Sequence, residues 1–222
     1  DRLRRLEGLL QAVEETLPSA DARHPEWLLF AYRWAELTAL WLDLYPDVPE
    51  AIFERLQHVR QQLDAVFLAW VQSRYAGLHN QPALPPVMLH HVPRALARHR
   101  EGNGSGKVAL LVVDGLALDQ WIVLRDVLHA QRPALIYRES AVFAWLPTIT
   151  SVSRQALFAG KPPLYFPSSI YTTDREPALW TQFWTDQGLT AKEVGYLKGL
   201  GDGAIEAVAA LVEGEGVPVA VE

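Results

Sequence analysis

Two groups of polar residues border the apolar run Val108–Val113 and a helical pattern farther along the chain. The first group is Asp114, which ends the apolar run and precedes Gly115. The second is the turn PTITSVSR, from Pro147 to Arg154. A carboxylate at the end of a strand is well placed to hold a hard or borderline cation. A hydroxyl coordinated by a cation can become a nucleophile, so the two groups together indicate metal-assisted chemistry.

Each group also has a plainer explanation, and the residues alone leave both open. Asp114 is equally suited to a turn or to capping a helix. Threonines at a strand-to-helix turn commonly cap the helix, yet the same place offers unpaired N–H donors and a positive dipole to a phosphate. Thr148 and Thr150 point the same way from an extended segment, so one can cap while the other reacts. Arg154, one turn after Thr150, is either a phosphate contact or a solvated helix charge.

The pattern around these residues predicts a strand, helix, strand, helix order. The unbroken run Val108–Val113 is typical of a strand buried on both faces of a parallel sheet. A helix over 118–130, a second strand within 134–146 and a helix over 150–159 follow. This order predicts an α/β domain with a mainly parallel sheet, in which ligands bind at the carboxyl ends of the strands. Later segments predict helices over 177–187 and 203–211 and a strand over 217–221.

The chain before this domain predicts an all-α region. Apolar residues recur at helical spacing in three segments, within 2–17, 25–44 and 52–70, and short connections favour an antiparallel array. The tryptophans of the second helix, Trp27, Trp34 and Trp41, are predicted to be core residues. The proline- and glycine-rich stretch that follows predicts a linker with a short helix over 94–100. We interpret its histidines as surface residues, because their spacing is loose and no carboxylate accompanies them: His90, His91 and His99.

We therefore predict three parts: a helical N-terminal region (1–79), a linker (80–107) and the N-terminal part of the α/β domain (108–222). The chain starts at Asp1 without Met and ends in the strand-like VPVAVE, so we expect a fragment of a longer protein.

Composition narrows the classes of function. Hydrophobic residues make up 50% of the chain and charged residues 21%, which is typical of a soluble globular protein. The net charge of −6 argues against a generally basic nucleic-acid binder. The chain has no cysteine, which excludes disulfides and thiolate zinc sites. Its apolar runs are far shorter than the ~20 residues of a membrane span, so we expect a cytoplasmic location without membrane contact.

The paired motif resembles a known family. VVDGLALDQW followed by LPTITSVSRQALFAGKPP is similar to the PglZ domain, a branch of the alkaline phosphatase superfamily found in bacterial phage-exclusion systems such as BREX. The upstream LHHVPRAL also resembles the segment before that domain, so the resemblance covers 87–222. It implies an alkaline-phosphatase-like fold with a mainly parallel sheet, truncated here and preceded by the all-α region.

The resemblance also implies a function. It implies a metal-dependent phosphatase or phosphodiesterase with two zinc ions, in which Asp114 is the first metal-binding aspartate and Thr150 is both nucleophile and metal ligand. Arg154 would then contact the phosphate. The implied partners are a phosphate-ester substrate and other phage-defence proteins, with nucleic acid only an indirect partner. The alternative is a non-catalytic scaffold within a phage-defence complex.

The chain departs from the family in the remaining metal ligands, which the resemblance places on later strands. After Thr150 the sequence has no histidine and three aspartates, Asp174, Asp186 and Asp202. We therefore expect the chain by itself to bind zinc weakly or not at all and to be inactive, with the site completed elsewhere in a longer protein.

Overall fold

A computed structural model describes residues 1–102, 106–199, 203, 205–213 and 217–221 of the 222-residue chain. The helices in chain order are α1 (Arg2–Thr16), α2 (His24–Leu44), α3 (Glu50–Arg74), α4 (Val92–Gly102), α5 (Leu118–Gln131), α6 (Thr150–Ala159), α7 (Glu176–Asp186) and α8 (Ile205–Glu213). The strands are β1 (Leu110–Val112), β2 (Val194–Lys198) and β3 (Val217–Val221). No described helix is long and apolar enough to cross a lipid bilayer.

The chain divides into two compact units. The helical unit comprises Asp1–Leu78 and Leu116–Ala141, and the sheet unit comprises His79–Gly115 and Val142–Glu222. The helical unit thus includes α5, which the sequence pattern places in the α/β domain. The predicted parts 1–79, 80–107 and 108–222 remain a prediction about domain organisation.

The helical unit is built from the apolar stripes of its helices. Leu6, Leu10 and Val13 of α1 are fully buried, at the spacing that predicted this helix. Trp27 of α2 is buried as predicted, whereas Trp34 and Trp41 are half-buried. Along α3, four further residues are buried: Ile52, Leu56, Val59 and Trp70. Trp70 also donates its indole N–H to the Ala22 carbonyl at 2.8 Å, so this polar group in the core has a hydrogen-bond partner.

The sheet unit holds a three-stranded parallel sheet in the order β1-β3-β2. Phe158 of α6 and Trp180 and Trp184 of α7 form the buried core against which one side of β1 and β2 packs. Leu110 and Val112 of β1 pack on this core, but Leu111 is 65% exposed. The prediction that this strand is buried on both faces is therefore wrong, because successive side chains alternate and Leu111 points away from the core on which Leu110 and Val112 pack.

The second strand predicted within 134–146 is also absent from the described structure. Phe143 forms a single isolated parallel bridge with Met88. Farther upstream, Glu139 accepts a hydrogen bond from the Trp121 indole of α5 at 2.8 Å and pairs with Arg125 at 3.3 Å. Side-chain contacts to a helix therefore hold part of this stretch in place of a strand ladder. Conversely, β2 was not predicted.

The predicted linker contains packed structure. Its short helix is confirmed as α4, and Val87 and Met88 just before it are buried. His90 and His91 are each 2% exposed, so the prediction of surface histidines is wrong for these two, while His99 is exposed. They are buried because α6 packs against the short 3-10 helix Leu89–His91 that carries them. Part of the glycine run, 103–105, lies outside the described residues.

Candidate functional site

Thr150 is the first residue of α6 and is exposed. The N-cap of this helix is Ile149, which makes no side-chain cap. The alternative in which a threonine of the turn caps this helix is therefore wrong. Thr148 lies before the N-cap and is also exposed. The hydroxyl of Thr150 thus stands where backbone N–H groups of the first helical turn have no intrahelical acceptor.

Asp114 lies at the carboxyl end of β1, followed by Gly115 with a φ of 74°. This left-handed conformation is one that glycine adopts without strain, and it turns the chain sharply after the aspartate. The N-cap of the following helix α5 is Ala117, so Asp114 does not cap that helix. Its side chain keeps 36% of its surface exposed and lies 3.6 Å from Arg154, measured from Oδ2 to Nη1.

Arg154 links the two predicted groups. It lies one turn after Thr150 on α6, and residues four apart share a helix face. Its guanidinium pairs with Asp114 through Nη1 and donates a 2.6 Å hydrogen bond from Nη2 to Oε2 of Glu176. Arg154 is 8% exposed, so the interpretation as a solvated helix charge is wrong. The structure therefore brings Asp114 to the helix face that begins at Thr150.

Glu176 and Tyr196 complete this network, and the sequence pattern identified neither. Glu176, the first residue of α7, is fully buried. Tyr196 of β2 donates its hydroxyl proton to the same Oε2 of Glu176 at 2.6 Å. A glutamate before a proline at a helix start is an ordinary helix-initiation pattern, so no local signal marked it as the partner of Arg154.

The network raises the pKa of both Tyr196 and Arg154. Burial raises the pKa of Tyr196, and its hydrogen bond to Glu176 raises that pKa further, so the phenol stays protonated. Burial acts to lower the pKa of Arg154, but the hydrogen bond and the charge of Glu176 outweigh it and raise that pKa. Arg154 is therefore a permanent cation beside Asp114.

The hydroxyl and amide side chains next to Thr150 on α6 have structural partners. Ser151 is buried and donates to the Ile170 carbonyl at 2.6 Å. Gln155 is fully buried and its amide donates to the carbonyls of Ser169 at 2.6 Å and Thr172 at 2.8 Å. These contacts fasten the proline-rich segment after α6 to the helix. Thr150, in contrast, presents its side chain at the surface.

Asp114 and Thr150 are the two oxygen-bearing residues of the predicted metal site. A carboxylate and a hydroxyl are oxygen donors of a kind that zinc accepts. Yet no group of three or more histidine, cysteine, aspartate or glutamate side chains suited to a metal occurs in the described part of the chain. Asp114 moreover faces a cation in Arg154. Asp114 and Thr150 alone therefore do not fit a complete two-zinc centre, which needs further ligands.

Comparison with known proteins gives the family. No curated protein matches the chain. The family model of the BREX system PglZ alkaline phosphatase-like domain matches residues 92–218, which include Asp114, Thr150, Arg154 and Glu176. This confirms the resemblance predicted from the paired motif. Because the match covers more than half of the 222 residues, the chain belongs to the PglZ family, the alkaline phosphatase-like domain of the BREX phage-defence system.

Proposed function

We propose that this PglZ domain belongs to a hydrolase of phosphate esters, a phosphatase or phosphodiesterase, in which Thr150 is the nucleophile. Asp114 and Thr150 would be ligands in a two-zinc site whose other ligands come from outside the described residues. Bound zinc would favour the alkoxide form of the hydroxyl and offset phosphoryl charge. The observation that carries the proposal is the ion pair between Asp114 and Arg154, which connects the strand end to the helix face of Thr150.

Each residue has a distinct role in this proposal. Thr150 offers an exposed hydroxyl at a helix N-terminus, where the helix dipole favours an anionic phosphoryl group. Arg154 holds the Asp114 carboxylate and is the predicted phosphate contact. At 3.6 Å its Nη1 is too far from Asp114 for a good hydrogen bond, so that nitrogen keeps donor capacity for a phosphate oxygen. Glu176 and Tyr196 fix the guanidinium from the buried side.

The proposed setting is a BREX system in the cytoplasm, with other defence proteins as partners. The competing function is a scaffold that keeps the fold without the chemistry. Two features favour catalysis, because a scaffold requires neither. Thr150 is exposed and does not cap its helix, and the Asp114 carboxylate lies beside the face of that helix.

The test is hydrolysis of a chromogenic phosphodiester and a chromogenic monoester with added zinc. The protein is assayed as the present chain and in an extended form, because the described residues hold no group of three or more of the side chains that could bind a metal ion. Thr150→Ala should reduce the rate of the active form by about 10³-fold or more, because the nucleophile is removed. Asp114→Ala should cause a comparable loss and weaken zinc binding measured by calorimetry.

Thr148→Ala is the matched control, since it removes an exposed hydroxyl of the same turn and should leave the rate within about threefold of wild type. Full activity in Thr150→Ala would refute the proposed nucleophile. A folded, extended protein that hydrolyses neither ester would support the scaffold instead.

A further inference from the structure

A polar pocket lies within the sheet unit, away from Thr150. It has a volume of about 340 Å³ and is lined by residues 79–81, by the buried pair His90 and His91, by Arg94, and by Lys161, Pro162, Leu164 and Tyr165. Lys161 follows the C-terminal end of α6, whereas Thr150 begins that helix. A helix of ten residues is ~15 Å long, so the pocket is separate from the proposed catalytic site.

The lining of this pocket is cationic. Arg94 and Lys161 are both exposed and carry positive charge, and the described residues that line the pocket include no carboxylate. Three further lining residues add neutral hydrogen-bonding groups: the amides of Asn80 and Gln81 and the phenol of Tyr165. A concave surface with two cations and no balancing acid produces a positive local potential, which favours an anion.

The histidine pair adds donors that stay neutral. Nδ1 of His91 accepts the backbone N–H groups of Val87 and Met88, each at 3.2 Å, which assigns the ring proton to Nε2. Burial and then the charges of His91, Arg94 and His79 lower the pKa of His90 to about 4, and burial also lowers the pKa of His91. Both rings are therefore uncharged at neutral pH and can donate N–H groups without adding repulsion.

His90 also carries an unexplained polar atom. It is 2% exposed, and its Nδ1 has no hydrogen-bond partner among the residues that the structure describes. A ligand or a solvent molecule that reaches this nitrogen would satisfy it. His90 lines the cationic pocket. Its unpartnered Nδ1 is therefore a second observation at this pocket, independent of the charges of Arg94 and Lys161.

We propose that this pocket is an anion-binding site for a small phosphate-bearing ligand, held by Arg94 and Lys161. Arginine presents a planar fork that matches phosphate oxygens, and lysine adds a point charge. The volume lies at the lower end of the range for small-molecule pockets, which favours a compact ligand over a nucleic-acid backbone. The proposal does not depend on Thr150 chemistry.

The test uses AMP, inorganic phosphate and adenosine as separate probes against the intact chain, with calorimetry and imidazole NMR. AMP and inorganic phosphate should each bind with saturation, and adenosine, which lacks the phosphate, should not bind. The double variant Arg94→Ala, Lys161→Ala should weaken AMP binding at least about tenfold, because each cation contacts the phosphate. Bound phosphate should also raise the pKa of His90, since it offsets the positive charge of Arg94, which lowers that pKa.

The matched control is Arg98→Ala, Lys192→Ala, which removes one arginine and one lysine from exposed positions outside the pocket. It should change AMP affinity by less than about twofold, because neither side chain lines the pocket and exposed charges are screened. The proposal is overturned if AMP and phosphate cause no saturable shift of the histidine signals, or if both double variants lose affinity equally. Tighter binding of a single-stranded oligonucleotide, with a steep salt dependence, would overturn it in favour of a nucleic-acid contact.

Discussion

Glu176 is the residue on which the arrangement of Arg154 depends. Its carboxylate is fully buried and accepts hydrogen bonds from both Arg154 and Tyr196 at 2.6 Å. Removing one partner of a buried ion pair leaves an uncompensated charge in a medium of low polarity, which is far more costly than losing a surface pair. The network therefore carries both the stability of the sheet unit and the position of Arg154.

We predict that Glu176→Gln lowers the free energy of unfolding by about 3 kcal/mol, because Arg154 keeps its charge and loses its strongest partner. Tyr196→Phe should cost about 2 kcal/mol, the value of one hydrogen bond to a charged group. Urea denaturation measures both. Glu101→Gln, which neutralises an exposed glutamate of the same unit, should change stability by less than about 0.5 kcal/mol. Equal effects of Glu176→Gln and Glu101→Gln would contradict the role of the network.

At the scale of the element, α6 is the helix that places both Thr150 and Arg154, and its end is set by Gly160. This glycine has a φ of 59°, and a Cβ built on it would lie 2.8 Å from the ring of Phe183. Both features require glycine. The left-handed conformation strains other residues, and the Phe183 ring already occupies the space that a Cβ would take. Gly8, inside α1, has nothing within 4 Å of a built Cβ and no such constraint.

We predict opposite effects of the same substitution at these two sites. Gly160→Ala should destabilise the protein by about 1–2 kcal/mol through its backbone conformation and by about 1–3 kcal/mol through overpacking against Phe183. Gly8→Ala should stabilise it by about 1 kcal/mol, because alanine is the better helix former. Thermal unfolding of both variants measures the difference. A neutral Gly160→Ala would show that the helix ends for another reason.

At the scale of the whole molecule, the helical unit is assembled from two separated stretches of chain. α5 packs against α2, although more than 70 residues separate their ends in sequence. Ile122 of α5 is 6% exposed, whereas its neighbour Val123 is 53% exposed. The helical unit therefore depends on a segment that follows β1 in the chain.

We predict that Ile122→Ala destabilises the helical unit by about 2–5 kcal/mol, the usual cost of a cavity in a core. Hydrogen exchange of the intact chain should show reduced protection of the backbone amides of α2 as well as α5. Val123→Ala, the matched control on the exposed side of the same helix, should leave the protection of α2 unchanged. Unaltered protection of α2 in Ile122→Ala would mean that α5 does not stabilise that helix.

The sequence by itself determined the features that depend on neighbouring residues. The stripe Leu6, Leu10, Val13 predicted α1, and the turn before Thr150 predicted a helix over 150–159, which is α6. Helical periodicity is local, so it survives without knowledge of the fold. The paired motif around Asp114 and Thr150 predicted the PglZ family, since a motif is a property of the chain.

The tertiary structure alone decided which groups meet. Glu176 lies 22 residues after Arg154 and becomes its partner only when α7 packs on α6. His90 looked like a surface histidine and is buried because α6 covers it. The apolar stretch around Phe143 forms only a single bridge with Met88, because no described neighbouring segment continues the pairing into a ladder. Burial, ion pairing and sheet formation are long-range contacts, and the local pattern of residues does not encode their partners.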